Sequence, residues 1–355
     1  MPILNAQLFD GPIDIVGDVH GEIEALRHLL KHLGYSPHGE HQQGRRLVFL
    51  GDLCDRGPDS PAVLQLVMSL VQRGFAQCVL GNHEINLLRQ APKSGNGWFF
   101  SNNHDSAHGF FAHSRPVDPG ERESFLQFLG TLPLTLQRDD LRLVHAAWMP
   151  EALEQIATFG HRSVVDIYHE YEARTEAHVQ ASGLRHSVRE ELQQYGDRLK
   201  HPFAIVPLLP ALGEYDELYQ MSNPVRVLTS GVEQRSEHPY YVGGKWRMVR
   251  RVPWWESYAE TAPVIMGHYW RCMDATTRHL VNRGDRDLFA GHALNEWLGP
   301  NRNVYCADFS VGGRYKEREL GRQDCWGTRL AAVRWPELEL VFDEGKRLRL
   351  KPGRL

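Results

Sequence analysis

Three short motifs, each placed where an apolar run stops, constrain this chain more than anything else in it. The runs are Ile13-Asp14-Ile15-Val16, Arg46-Leu47-Val48-Phe49-Leu50 and Gln77-Cys78-Val79-Leu80, each of a length suited to a buried strand. They lead into Gly17-Asp18-Val19-His20-Gly21, Gly51-Asp52-Leu53-Cys54-Asp55-Arg56-Gly57-Pro58 and Gly81-Asn82-His83-Glu84. A helical pattern follows each motif. Ile23, Leu26, Leu29, Leu30 and Leu33 recur at helical spacing before Gly34. Pro58 is expected in the first turn of the next helix, whose apolar face is Val63, Leu64, Leu66, Val67 and Leu70, closed by Gly74. The third helix runs from His83 to about Gln90. Such alternation predicts an α/β fold with a parallel sheet, and the three motifs then share the carboxyl edge where such sheets build their sites.

The rest of the chain divides by character. Residues 92–115 read as a long loop beside the site, rich in Gly, Asn and His and carrying Trp98-Phe99-Phe100. A helix near 121–130 precedes two strands, about 132–137 and 141–146, the second delivering His145. Residues 151–262 change to charged helical pattern, proline-bearing stretches and a run rich in arginine and tryptophan. That predicts an inserted, partly helical cap between a first core segment (1–150) and a second (263–345). The second segment opens with Pro263-Val264-Ile265-Met266-Gly267-His268, then offers a strand near 303–308 and a hairpin over 328–342. Residues 346–355 are expected as a solvated basic tail.

Size and charge exclude several classes. At 355 residues, 42% of them hydrophobic, the chain can bury a large core. A net charge of −4 provides no general attraction to nucleic acid or an anionic membrane. Five cysteines without a Cys-x-x-Cys pair point to reduced thiols in a cytoplasm. No apolar run approaches the ~20 residues of a membrane helix, and the first residues do not resemble a signal peptide.

Asp18, His20, Asp52, Asn82, His145 and His268 all fall at strand ends. Carboxylate, imidazole and amide oxygen together suit Mn²⁺, with Fe or Zn²⁺ as alternatives, better than Ca²⁺. Two divalent ions about 3.5–4 Å apart can hold a hydroxide between them and polarise a phosphoryl group. Asp52 is the natural bridging carboxylate. His83, beside the ligands, suits the general acid, with Asp55 to orient it. Arg56 and Asn82 are candidates for substrate oxygens, the arginine through its planar fork.

These motifs, their order and the two later histidines resemble the calcineurin-like metallophosphoesterase superfamily. The likeness is greatest to the branch of serine/threonine protein phosphatases and symmetrical diadenosine tetraphosphate hydrolases. The resemblance implies a four-layer α/β/β/α sandwich with a dinuclear centre. Asp18, His20 and Asp52 would hold the first ion. Asp52, Asn82, His145 and His268 would hold the second, and His83 would protonate the leaving oxygen. The match covers roughly 12–148 and 263–342 and leaves 151–262 unexplained. His145 is followed by Ala146-Ala147-Trp148 where the family usually has Gly. Gly267-His268-Tyr269-Trp270 lacks the second histidine of many nucleases. The protein phosphatases carry a second phosphate-binding arginine, for which Arg235 and Arg271 are the weak candidates here.

The bland readings stand beside these. A single such motif could be an ordinary turn, and Asp52 and Asp55 could be helix caps. Of the 19 histidines, His104, His108, His113 and His292 are read as surface or core, and His161, His169, His178 and His186 as a solvated face. The cap's arginines and tryptophans are read first as a satellite core with a charged rim, and second as a phosphate- or base-docking surface. The expected function is a hydrolase of phosphomonoesters acting through a metal-bridging hydroxide. The alternative is a phosphoanhydride hydrolase of dinucleoside polyphosphates, with a nuclease or a non-catalytic binder behind both. Expected partners are phosphorylated small molecules, nucleotides or phosphoproteins.

Overall fold

The computed structural model describes residues 4–100, 114–281, 285–322 and 325–353. The expectations for His104, His108 and His113 lie outside them. In chain order the strands are β1 (Asn5–Gln7), β2 (Ile13–Val16), β3 (Arg46–Phe49), β4 (Ala76–Cys78), β5 (Thr135–Arg138) and β6 (Leu141–Val144). They continue with β7 (Glu233–Val242), β8 (Lys245–Arg251), β9 (Val264–Met266), β10 (Val304–Cys306), β11 (Ala331–Trp335), β12 (Glu339–Phe342) and β13 (Arg347–Arg349). One sheet has the order β13-β12-β11-β2-β3-β4, a second β1-β5-β6-β9-β10, and β7 and β8 form a separate hairpin. As expected, β2, β3 and β4 are parallel neighbours.

Side-chain alternation decides how the sheets stack. Ile13, Ile15, Val48 and Leu50 of the first sheet share one buried cluster with Leu136, Leu143, Ile265 and Tyr305 of the second, so the sheets pack face to face. The opposite face of the first sheet, with Val16, Leu47 and Phe49, meets the helices Ile23–Leu33 and Ser60–Gln72. The far side of the second sheet is covered by residues between β6 and β9, including Leu228, Trp254 and Trp255. Four layers result.

The chain between β6 and β9 holds five α-helices: Pro150–Ala157, Val164–Ala181, Leu184–Tyr195, Pro210–Met221 and Pro224–Ser230, followed by the hairpin β7–β8. Its tryptophans do not form a satellite cluster alone. Trp254 and Trp255 are 3% and 1% exposed and belong to the main core.

Two local expectations are corrected and one strand is added. Pro61, rather than Pro58, sits in the first turn of its helix, because Asp59 is the N-cap and accepts from Ala62 N at 2.9 Å. The expected tail begins instead with β13, which pairs antiparallel with β12, and Leu350 beyond it is buried. The first residues add β1 beside β5, a strand too short and polar to read from pattern. All five cysteines are free. No described helix is long and apolar enough to cross a membrane.

Candidate metal centre

The motifs turn sharply at the strand ends, and the backbone there is held in an uncommon region. His20, Asp52, Asp55, Arg56 and His268 have φ of 48°, 47°, 71°, 70° and 67°. Left-handed non-glycine residues cost energy and persist only where the surroundings over-determine them. Glu84 is the chief restraint. Its buried carboxylate accepts from Asp52 N (2.8 Å), Leu53 N (2.9 Å) and Gly81 N (2.9 Å), and from Cys54 Sγ (3.3 Å). Asp52 O in turn accepts from Val19 N and His20 N at 3.0 and 2.9 Å, tying the first motif to the second. Glycine is required at 81 because a Cβ there would lie 2.3 Å from Asp52 Oδ1.

Around this frame the expected side chains converge. Asp52 Oδ2 lies 3.7 Å from His20 Nε2, 3.9 Å from His83 Nε2 and 3.4 Å from His145 Nε2. His20 Nε2 is 4.0 Å from Asp18 Oδ2. Both Asp18 oxygens accept from His268 N at 3.1 Å, which fixes the carboxylate against the loop after β9. Two overlapping groups could each hold a cation, His20–Asp52–His83 and Asp52–His145–His268, and Asp52 belongs to both. The imidazoles are pre-oriented: His20 Nδ1 faces Cys54 O at 3.0 Å and His145 Nδ1 faces Leu50 O at 2.7 Å, leaving each Nε2 toward the centre. Among the described residues, Asn82 Oδ1 and His145 Nε2 are buried without a hydrogen-bond partner, as the lone pairs of cation ligands would be.

The electrostatics of the cluster follow from burial and crowding. Burial would raise Asp52, but His145, His83 and His20 hold its carboxyl well below the usual range. Burial, Asp308 and Asp52 push Asp18 well up. Burial and Arg56 keep His20 neutral, and burial and Arg251 do the same for His268. Burial opposes charge on His145, yet the Asp52 carboxylate overrides it and lifts the imidazole to about 10.

His83, although within reach of a cation held by His20 and Asp52, is also tied into a relay. Its Nδ1 faces Asp55 Oδ2 at 2.5 Å, and Asp55 Oδ1 accepts from Trp98 Nε1 at 2.6 Å. Trp98 thus anchors the dyad itself. Against the cost of burial, Asp52 and Asp55 raise the His83 pKa. The Arg56 fork spans two imidazoles, NH1 2.9 Å from His20 Nε2 and NH2 3.2 Å from His83 Nε2. Trp270, standing where nucleases have a histidine, places its ring 4.7 Å from that guanidinium.

The sequence reading gave no role to Glu84 or Asp308. Asp308 accepts from Trp270 N (2.7 Å) and Ser310 N (2.8 Å) beside Asp18. A buried carboxylate that receives only backbone donors leaves no spacing signal, although Glu84 was visible within its motif. The two weak arginine candidates lie elsewhere. Arg271 is buried against Phe289, Tyr305 and Phe309, and Arg235 pairs with Glu217 at the surface. Arg251, near His268, donates from NH1 to its carbonyl at 3.2 Å.

Comparison with known proteins agrees with this geometry. The family model described as calcineurin-like phosphoesterase matches residues 11–207. Among curated relatives, the asymmetrical bis(5'-nucleosyl)-tetraphosphatase PrpE of Geobacillus sp. (strain WCH70) is 38% identical over 144 residues, 38% of this chain and 56% of that protein. The symmetrical bis(5'-nucleosyl)-tetraphosphatase of Aromatoleum aromaticum (strain DSM 19018 / LMG 30748 / EbN1) is 31% identical over 135 residues, 38% of this chain and 44% of that one. The chain thus spans about half the length of the curated relatives it matches. A solved cold-active protein-tyrosine phosphatase from a psychrophilic Shewanella species is 17% identical, with a TM-score of 0.45, covering 99% of this chain and 83% of that one. With more than half of its length matched by one family model and the strand-end motifs in their expected order, the chain belongs to the calcineurin-like phosphoesterase family.

Proposed function

We propose that the chain is a dinuclear metal-dependent phosphohydrolase that cleaves phosphoanhydride bonds of dinucleoside polyphosphates in the cytoplasm. The observation that carries the reading is the convergence of two potential ligand groups on the shared Asp52. Asp18, His20 and Asp52 would hold one ion, and Asp52, Asn82, His145 and His268 the other. The donor set of oxygens and neutral imidazoles fits Mn²⁺, with Fe or Zn²⁺ as alternatives. Once bound, such ions supply Lewis acidity toward phosphorus and acidify a water. The substrate class rests on the tetraphosphatase names of the relatives, which reverse the sequence-based preference for phosphomonoesters.

In this reading Arg56 orients phosphoryl oxygens with its two-pronged donor face, backed by Trp270. His83 keeps a proton on Nε2 for the leaving oxygen while Asp55 holds Nδ1. The Asp52 and Asp55 carboxylates raise its pKa against burial and so favour the protonated imidazole, and donation is lost as pH rises through that pKa. Comparing diadenosine tetraphosphate with a nitrophenyl phosphate, with Mn²⁺ added, tests the reading. The expected result is a higher kcat/KM for the tetraphosphate. A higher value for the aryl ester would overturn the substrate class, and no turnover of either would overturn the catalytic reading.

Two further expectations arise from the site. Trp98→Phe removes one hydrogen bond to a charged group, ~1.5 kcal/mol, and should lower kcat about 10-fold with little change in KM. The loss should be greatest for substrates with poor leaving groups, which need the proton most. Separately, His145 at about 10 is protonated in the metal-free protein at neutral pH, so an ion binding there must displace a proton. Cation affinity should therefore rise with pH up to that value. Calorimetry in buffers of differing ionisation enthalpy would register the released proton.

A further inference from the structure

The Arg56 guanidinium is placed by contacts that cannot all persist during turnover. Its NH1 and NH2 lie against His20 Nε2 and His83 Nε2, at 2.9 and 3.2 Å. A neutral imidazole offers one lone pair, and on His20 that lone pair is the one a cation would take. On His83 the same nitrogen carries the proton for the leaving oxygen, so it has nothing to accept with. Both hydrogen bonds are therefore given up when these two histidines take their roles. An arginine released in this way regains rotamer freedom, yet a fork meant for phosphoryl oxygens must stay within about 0.5 Å of its place.

Two other contacts compete with neither role. The Trp270 ring centroid lies 4.7 Å from Arg56 Cζ. The backbone at Gly312 also closes in, since a Cβ there would be 3.0 Å from Arg56 NH1 and 2.3 Å from His20 Cδ2. Both belong to segments anchored on one buried carboxylate. Asp308 Oδ2 accepts from Trp270 N at 2.7 Å, and Oδ1 from Ser310 N at 2.8 Å. Gly313 N donates to Ser310 O at 2.8 Å, which carries the restraint on to the glycine pair. Trp270 and Ser310 are thereby held at φ of 56° and 65°, a region that non-glycine residues keep only under such restraint.

We infer that Trp270 is a positioning residue: its ring holds the Arg56 guanidinium beside the centre while His20 and His83 are engaged elsewhere, and so sets where a phosphoryl group binds. The inference rests on the proposed hydrolysis and adds to it the residue that keeps the arginine in place. An indole face attracts a guanidinium without neutralising it, so the charge stays available to an anion, which a carboxylate neighbour would not allow.

The test sets Trp270→Leu beside Trp270→Phe, both of which keep the main-chain bond to Asp308, in Mn²⁺-loaded protein whose metal content is measured. In the leucine variant, calorimetric affinity for inorganic phosphate and kcat/KM for a nitrophenyl phosphate should each fall about 10-fold at unchanged metal content. Phenylalanine should restore most of both. In an Arg56→Ala background the leucine substitution should cause no further loss, because the ring acts through the arginine. An equal loss in that background, an unchanged phosphate affinity, or loss of metal from the leucine variant would each overturn the inference. If phosphate binding follows the expected pattern while neither the aryl ester nor diadenosine tetraphosphate is turned over, the positioning role stands and the proposed reaction falls. If turnover occurs and is the same in the leucine variant, the reaction stands and the role falls.

Discussion

Replacing Asp52 by Asn is expected to abolish turnover and to release metal. Asp52 is the one residue common to both candidate ligand groups, and three imidazoles approach its Oδ2 within 4 Å. The substitution removes a negative charge while leaving size and shape almost unchanged. Two cations held close together repel each other strongly in a buried site, and a neutral amide cannot offset that. Losing a single preorganised electrostatic contact in an active site costs about 10²–10³ in kcat, and this one is shared by both ions, so a loss of at least ~10³-fold is expected. Metal analysis should find fewer than two ions per chain. The same change should bring His145 down from about 10, because Asp52 is what raises it. A variant that kept both ions and most of its activity would exclude Asp52 as the bridge.

Replacing His83 by Asn should separate metal binding from catalysis. His83 lies beside Asn82 but is turned toward Asp55, at 2.5 Å, and toward Arg56. Both ions should remain bound, and kcat should fall by roughly 10²–10⁴-fold, the usual contribution of a general acid. Substrates that expel a stable anion need little help from a proton donor, so the loss should be smallest for dinitrophenyl esters and largest for alkyl phosphates. If the variant loses metal instead, His83 is a ligand and the donor must be sought elsewhere. The contrast with Trp98→Phe is informative, because that change leaves the acid present and loosens only the group that aims it.

Much of the centre was legible because its chemistry is written in local order. Asp18, His20, Asp52, Asn82 and His83 each follow a strand within a few residues, and strand ends of a parallel sheet must converge. His145 and His268 were legible for the same reason, at the ends of β6 and β9, which lie side by side. What escaped was long-range or carried by the backbone. Trp98 reaches Asp55 across 43 positions, and Asp308 receives only main-chain donors. The start of the helix at Ser60 was misplaced because two prolines compete for its first turn, and the cap of Asp59 decides between them. β13 looked like a tail because its arginines alternate with one leucine, and only its pairing with β12 makes it a strand.

The peptide after His145 is held from two sides by the chain between β6 and β9. Ala146 N donates to Leu228 O at 2.9 Å, and Ala146 O accepts from Trp254 Nε1 at 3.1 Å, so the peptide next to His145 is gripped by residues that flank the hairpin in sequence. Anything that shifts the hairpin then pulls on an imidazole offered to the second cation. Thermodynamic reciprocity requires the converse, with the same coupling free energy in each direction. Loading a cation at His145 and positioning the hairpin would then be one linked equilibrium.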